Sequence, residues 1–543
     1  MTRLIKETFI FIILIFVMFS MAEVFSCTSI LVTKGASKKG APMISYSCDG
    51  EFHAHLKVIP AKKYKSGETV EIRGWRGLLG KIPQVSETYK VVGLMNEYQL
   101  AIGETTFGGR KELINKDGIF HYYPLMKIAL QRAKTAKDAI KVMTELVEKY
   151  GYISSGESIS IADKHEAWLM EIVGTGKGGK GAIWVAVKIP DGKVCATANM
   201  SRIREFPLND PDNVLYSKNV ISYAVEHGYY DPAKDGAFSF SKAYNPPTEE
   251  QVRYSSRRIW SIFRRVAPSK NISSRYSNGN TNMKPYELYI KPDRKLDVRD
   301  VIALHRDHYE NTEFDMTKDL VSGPFGAPDR WRPMRWKSGD KLYAWERPIA
   351  TQQAGFVYVS ESRSYISDEI GGIVWFGMDN PYTNVFVPIY TSVTELPVSY
   401  TVGTLKKYTR DSAWWTFNFV ANFANLRYSY MIKDIQKVQK DLEDIEFGLQ
   451  PAIEHTAKYL LETDRKLVST YLTKYCVENA ETVVRRWRDL GDFLVTKYND
   501  GYIKDEKDRP REVGYPKKWL KKEAKENGKK RGLKVTRNGD KEL

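Results

Sequence analysis

The chain has 543 residues, a formal net charge of +17, 42% hydrophobic and 27% charged residues. That is apolar enough for packed cores, excludes a globally disordered chain, and sets an expectation of roughly three domain-sized units. The positive field favours anionic partners such as acidic substrates or cell-envelope polymers, but no nucleic-acid-binding motif accompanies it, so most of the charge reads as solvated surface and no nucleic-acid partner is expected.

At the N-terminus Arg3 and Lys6 precede an unbroken apolar run of eleven residues, Phe9 to Phe19. Val24-Phe25-Ser26 then supplies a cleavage-type sequence just before Cys27. A spanning helix wants about 20 apolar residues, so this shorter run reads as a signal peptide over residues 1–26. The expected location is therefore outside the cytoplasm, periplasmic or extracellular, with no stable membrane span after cleavage.

From Cys27 onward the chain turns to short strands. Thr28 to Thr33 and Met43 to Tyr46 read as an opening hairpin, with turn chemistry at Lys39-Gly40-Ala41-Pro42. Further strands are expected over 89–95, 100–104, 158–162, 167–172, 182–187 and 194–198. Between them, Ala139, Val142, Met143, Leu146, Val147 and Tyr150 recur at helical spacing within a helical stretch 122–150. Thr135 and Asp138 form a capping-box-like start to its second half. Residues 205–300 look loop-rich and polar. Strand character returns near 355–359 and 372–378, and 412–498 is mostly helical. The basic segment 511–543 reads as a solvated or partly disordered tail. Strands, helices and strands in succession give an α+β layered arrangement.

Four cysteines occur, Cys27, Cys48, Cys195 and Cys476. They are too few for a disulfide scaffold, and no Cys-x-x-Cys pair suggests structural zinc. Cys27 stands out by position. Once freed by cleavage, its α-amine, with an ordinary pKa of about 7.7–8.0, lies close to its own thiol at about 8.5. Proton transfer between them is then nearly thermoneutral, and one residue supplies both nucleophile and base. The rival reading is a lipidated cysteine. Phe25 fits that pattern poorly, and Cys27 leads straight into a strand, where a lipoprotein usually continues into a polar tether.

The run Cys27-Thr28-Ser29-Ile30-Leu31-Val32, then Gly40-Ala41-Pro42-Met43-Ile44-Ser45 and Asp49, resembles the start of the dipeptidase A family of N-terminal-nucleophile cysteine hydrolases. Further blocks follow in the family's order: Gly93-Leu94-Met95-Asn96-Glu97, Ile161-Ala162-Asp163-Lys164-His165-Glu166-Ala167-Trp168, and Ala198-Asn199-Met200-Ser201-Arg202-Ile203. His308-Tyr309-Glu310-Asn311-Thr312 and Val374-Trp375-Phe376-Gly377-Met378-Asp379 complete a likeness over about residues 27–400. The resemblance implies a four-layer αββα sandwich over 27–400, followed by a helical region 401–510. It implies hydrolysis of dipeptides or short peptides without metal or other cofactor. Cys27 would be the nucleophile and Asp49 would hydrogen-bond the amine. Asn96 and Asn199 would flank the site, one as oxyanion donor, and an arginine of Ser255-Ser256-Arg257-Arg258 would complete the network. Many relatives carry Arg three residues before the Asp, where this chain has Tyr46.

Plainer readings stand beside these. Asp49-Gly50 and Asn96-Glu97 are good turn dipeptides, and Asn199 sits at a strand end. His53 and His55, and His305 and His308, could ligate zinc geometrically, yet no His-Glu-x-x-His motif is present. Gly103–Gly109 and Gly174–Gly181 lack the Lys-Ser/Thr of a phosphate loop. The functional alternatives are an amidase of non-peptide substrates and a lipid-anchored binding or scaffold protein on an inactive version of the fold; the oligomeric state is left open.

Overall fold

The computed structural model describes residues 27–74 and 77–532. The signal-peptide reading of residues 1–26 therefore lies outside the described residues. The architecture is mixed α and β, with two large antiparallel sheets and a helical C-terminal region.

The seven-stranded sheet runs in the order Tyr289–Ile290, Val194–Thr197, Thr28–Val32, Met43–Asp49, Ala354–Ser362, Gly372–Met378, Val387–Tyr390. Thr28–Val32 is buried at all five positions, which is why it reads as a β-branched and apolar run without polar alternation. The eight-stranded sheet runs Val214–Tyr216, Ile183–Lys188, Ala167–Val173, Gly156–Ala162, Ala101–Gly108, Met95–Asn96, Val91–Val92, Val58–Ile59. The two sheets meet through paired hydroxyls: Ser29 Oγ donates to Ser160 Oγ at 2.9 Å and Thr105 Oγ1 to Thr197 Oγ1 at 3.0 Å. Tyr358 Oη donates across to the Ile102 carbonyl at 2.7 Å.

Helices Tyr122–Arg132 and Ala136–Tyr150 share a core with the eight-stranded sheet. Ala139, Ile140, Met143 and Val147 pack there with Ile159, Ile161, Trp168 and Met170. The Thr135 hydroxyl accepts from Asp138 N, so the expected cap is formed. The seven-stranded sheet shares its core with the C-terminal helices Ala413–Ala424, Tyr428–Thr463 and Arg465–Lys497. Trp375 stacks on Phe447 at 4.1 Å. The helices beyond residue 400 thus pack into the same core as the strands.

Two segments differ from their sequence reading. The basic tail contains a helix, Lys517–Arg531, with no buried residue; its lysines favour helix, and nothing apolar draws it into the core. The stretch 205–300, expected as loop, contains a wide i→i+5 turn at Val252–Ser256 leading into the helix Arg257–Val266. Its four arginines mask the apolar Ile259, Ile262, Phe263 and Val266, all buried.

Candidate active site

Cys27 immediately precedes the strand Thr28–Val32, near the middle of the seven-stranded sheet, and is fully buried. Its neighbours follow from register. Ser29 pairs with Thr197 and Thr28 with Ser47; continuing each ladder brings Asn199 to one side of Cys27 and Cys48 to the other. The Cys27 N–H donates to Asn199 Oδ1 at 2.9 Å, and Asn199 Nδ2 donates to the Thr106 carbonyl at 2.7 Å. Asn199 has φ +59°, in the left-handed region, which Asn tolerates better than most residues. The residue type therefore suits both the bend at the strand end and the hydrogen bond to Cys27.

Arg258 braces this corner from the helix Arg257–Val266. Its guanidinium donates to the Cys27 carbonyl at 2.7 Å, Thr28 Oγ1 at 2.9 Å, the Ala198 carbonyl at 3.1 Å and Asn199 Oδ1 at 2.9 Å. A fifth bond, from Nε to the Tyr254 carbonyl at 3.0 Å, anchors it to the wide turn. Burial, with the nearby Arg347 charge, pulls Arg258 down to about 9. The arginine expected from the Ser255–Arg258 run is thus Arg258. Arg257 points elsewhere, to Glu346 at 2.7 Å.

Asp49 ends the strand Met43–Asp49 and is buried. Burial pushes it up to about 6, against the pull of Arg347 and Arg258. Its direct ionic partner is Arg347, at 2.9 Å. The hydrogen bond expected from Asp49 to the Cys27 nitrogen is not the one formed: that nitrogen carries a single peptide proton in the uncleaved chain, and Asn199 accepts it. Asp49 is still close enough for its charge to act on the thiol.

The thiol faces Tyr46 and a carboxylate the sequence did not single out. Cys27 Sγ lies 3.7 Å from Glu104 Oε1 and 3.9 Å from Tyr46 Oη, and Tyr46 donates to the same Oε1 at 2.5 Å. Gly103 permits this: a Cβ there would stand 3.0 Å from Tyr46 Cβ. Burial pushes the thiol well above its ordinary range, and the Cys48 side chain and the Glu104 carboxylate push it further. All four cysteines are free thiols.

Asn96 does not join this group. Its Nδ2 donates to the carbonyls of Leu130 and Ala133, at 2.8 and 2.7 Å. Its Oδ1 accepts from Tyr98 N and Leu100 N, each at 3.0 Å. The side chain's hydrogen-bonding capacity is spent on its own turn and the end of the helix Tyr122–Arg132, so the expectation that Asn96 flanks Cys27 is corrected to the turn reading. His53 and His55 stand with ring centroids 4.7 Å apart, but each has its own partner. His53 Nε2 meets Ser412 Oγ, His55 Nε2 the Gly403 carbonyl and His305 Nε2 Ser45 Oγ. Among the described residues no group of three or more His, Cys, Asp or Glu is placed to hold a metal ion.

Comparison with known proteins identifies the family. The sequence profile of peptidase family C69 matches residues 26–441, well over half of the chain. A probable dipeptidase of Latilactobacillus sakei is 25% identical over 430 residues, covering 75% of this chain and 82% of that protein. A probable dipeptidase of Salmonella dublin is 24% identical over 391 residues, covering 68% and 82%. Probable dipeptidase B of Streptococcus pyogenes serotype M1 is 22% identical over 502 residues, covering 88% and 94%. The chain belongs to peptidase family C69, the dipeptidase A family that its motifs resemble.

Proposed function

We propose that this protein is an exported cysteine dipeptidase. Removal of residues 1–26 exposes Cys27 as an N-terminal nucleophile, and the two facing sheets with their helical covers form the αββα sandwich of that hydrolase class. The observation that carries the reading is the bracing of Cys27 at both ends of its peptide unit: Asn199 holds the nitrogen, and Arg258 holds both the Cys27 carbonyl and Asn199 itself. Every buried main-chain N–H needs an acceptor, but here two side chains joined to each other hold the nitrogen and the carbonyl together, as suits a residue whose own amine must meet its own thiol. The family match, which starts next to Cys27 at residue 26, and the dipeptidase names of the relatives support the same reading.

In the reaction the free α-amine takes the thiol proton and the sulfur attacks the scissile carbonyl carbon. The tetrahedral intermediate collapses to a thioester as the proton passes to the departing amino group. Water, deprotonated by the same amine, then cleaves the thioester and regenerates the thiol. Cleavage turns the Cys27 nitrogen from a one-proton amide into an amine with further protons. Asn199 Oδ1 keeps one, and the Asp49 carboxylate, held by Arg347, is the acceptor for another. The test compares processed wild type with Cys27→Ser on a panel of dipeptides. Loss of at least about 10³-fold in kcat/KM with unchanged fold is expected, together with insensitivity to chelators. Full activity in Cys27→Ser, or strong inhibition by a chelator, overturns the proposal.

A further inference from the structure

Glu104 lies beside the nucleophile and has no part in the scheme above, in which its negative charge works against thiolate formation. It and Glu157 are fully buried and close enough for each carboxyl to act on the other. Their remaining contacts are hydroxyls and the Cys27 thiol: Tyr46 on Glu104, Thr106 and Ser154 on Glu157. No lysine, arginine or histidine among the described residues forms an ion pair with either. Asp49 and Glu443 do find cations, in Arg347 and Arg306, while the buried Glu171 and Asp379 are held by hydrogen bonds. Burial pushes both acids up, Glu157 the further because the Glu104 charge adds to it, while Tyr46, Glu157 and the Cys27 thiol pull Glu104 back down. A buried carboxylate without a cation is costly unless a ligand supplies one.

We propose that Glu104, oriented by Tyr46 and backed by Glu157, receives the free α-ammonium group of the substrate and confines hydrolysis to the first peptide bond. The inference rests on Cys27 being the nucleophile and names the substrate class that site accepts. Covalent geometry sets the scale. An N-terminal nitrogen is two bonds from the scissile carbonyl carbon, roughly 2.5 Å away, from bonds of about 1.46 and 1.52 Å and an angle near 111°. Attack brings that carbon to roughly 3–3.5 Å from sulfur. A carboxylate oxygen 3.7 Å from Sγ can then stand at hydrogen-bond distance from the ammonium nitrogen. An acylated nitrogen brings no charge, and its carbonyl oxygen would face a carboxylate. Binding the ammonium also neutralises the Glu104 charge, which adds to burial in keeping the thiol protonated.

The test measures kcat/KM of the processed full-length protein on an unblocked dipeptide and on its N-acetylated counterpart, for wild type, Glu104→Gln and Glu104→Asp. Wild type should prefer the unblocked peptide by about 100-fold or more. Glu104→Gln should lose about 100-fold on it, chiefly through KM, and raise the rate on the acetylated one, where the charge that opposes the thiolate is gone, and so erase the preference; Glu104→Asp should keep part of it. Equal wild-type rates on the two substrates, or an equal loss on both in Glu104→Gln, overturn the inference while leaving the dipeptidase reading intact. Hydrolysis of neither by wild type overturns both. Where Glu104→Gln fails to fold, the wild-type comparison decides alone.

Discussion

Arg258→Met removes five hydrogen bonds but should act far more on rate than on stability. The Cys27 and Ala198 carbonyls lose their guanidinium donor, at about 1–3 kcal/mol for each buried acceptor left unpaired. Against this, burying the guanidinium is itself unfavourable. Its depression from 12.5 to about 9 corresponds to about 5 kcal/mol, which Met does not incur. The two contributions offset to within a few kcal/mol, so the variant should fold. The Cys27 nitrogen then keeps Asn199 and Asn199 keeps the Thr106 carbonyl, but the Cys27 carbonyl and Asn199 Oδ1 lose the guanidinium that ties them together, and a displacement of about 1 Å costs on the order of 10²-fold in rate. Thermal unfolding and kcat/KM on one dipeptide, measured on the same preparation, test this. Arg258→Lys should also be slow, because an ammonium cannot reproduce a planar fork serving four acceptors around Cys27. Activity within about threefold of wild type in a folded Arg258→Met protein would refute the positioning role, and a variant unfolded at the assay temperature would refute the energetic cancellation.

Other changes separate the site's parts. Asp49, raised to about 6 by burial, is ionised above that pH and neutral below it. Since the ionised form holds Arg347 and accepts the amine, kcat/KM should fall as pH drops through about 6. Asp49→Asn should be slow throughout and lose that limb; an unchanged limb would assign it to another group. Asn96→Ala should destabilise by about 2–4 kcal/mol in denaturant unfolding and leave kcat unchanged, whereas a kcat loss in the folded variant would restore a role near Cys27. Gly103→Ala places a Cβ 3.0 Å from Tyr46 Cβ and should lower kcat/KM about tenfold by shifting Tyr46 off Glu104; no change would show that the Tyr46 position is unimportant.

The extent to which the site could be read from sequence follows from how local each signal is. Cys27 was visible because a cleavage-type sequence precedes it and a strand follows it. Asn199 was visible as a motif residue, and its φ of +59° explains why an Asn at that strand end also reads as plain turn chemistry. For Asn96 the turn reading was the correct one, since a short polar side chain after a strand bonds its own backbone more readily than a distant centre. Arg258 was only half visible, because a helix with four arginines in ten residues hides its apolar spacing. Arg347 and Glu104 were invisible: nothing near either in sequence marks it, and each matters through a partner far along the chain, Asp49 and Cys27. The strands and the helix pair 122–150 were legible because their apolar periodicity is local. The sharing of one core between the first strands and the helices beyond residue 400 is a long-range fact that no local pattern carries.

The central claim is that Cys27 becomes the chain's first residue. The intact mass of the active, exported protein tests it most directly. The account predicts a chain beginning at Cys27 with an unmodified amine; an active protein that retains residues 1–26, or carries a lipid or acyl group on Cys27, would contradict it.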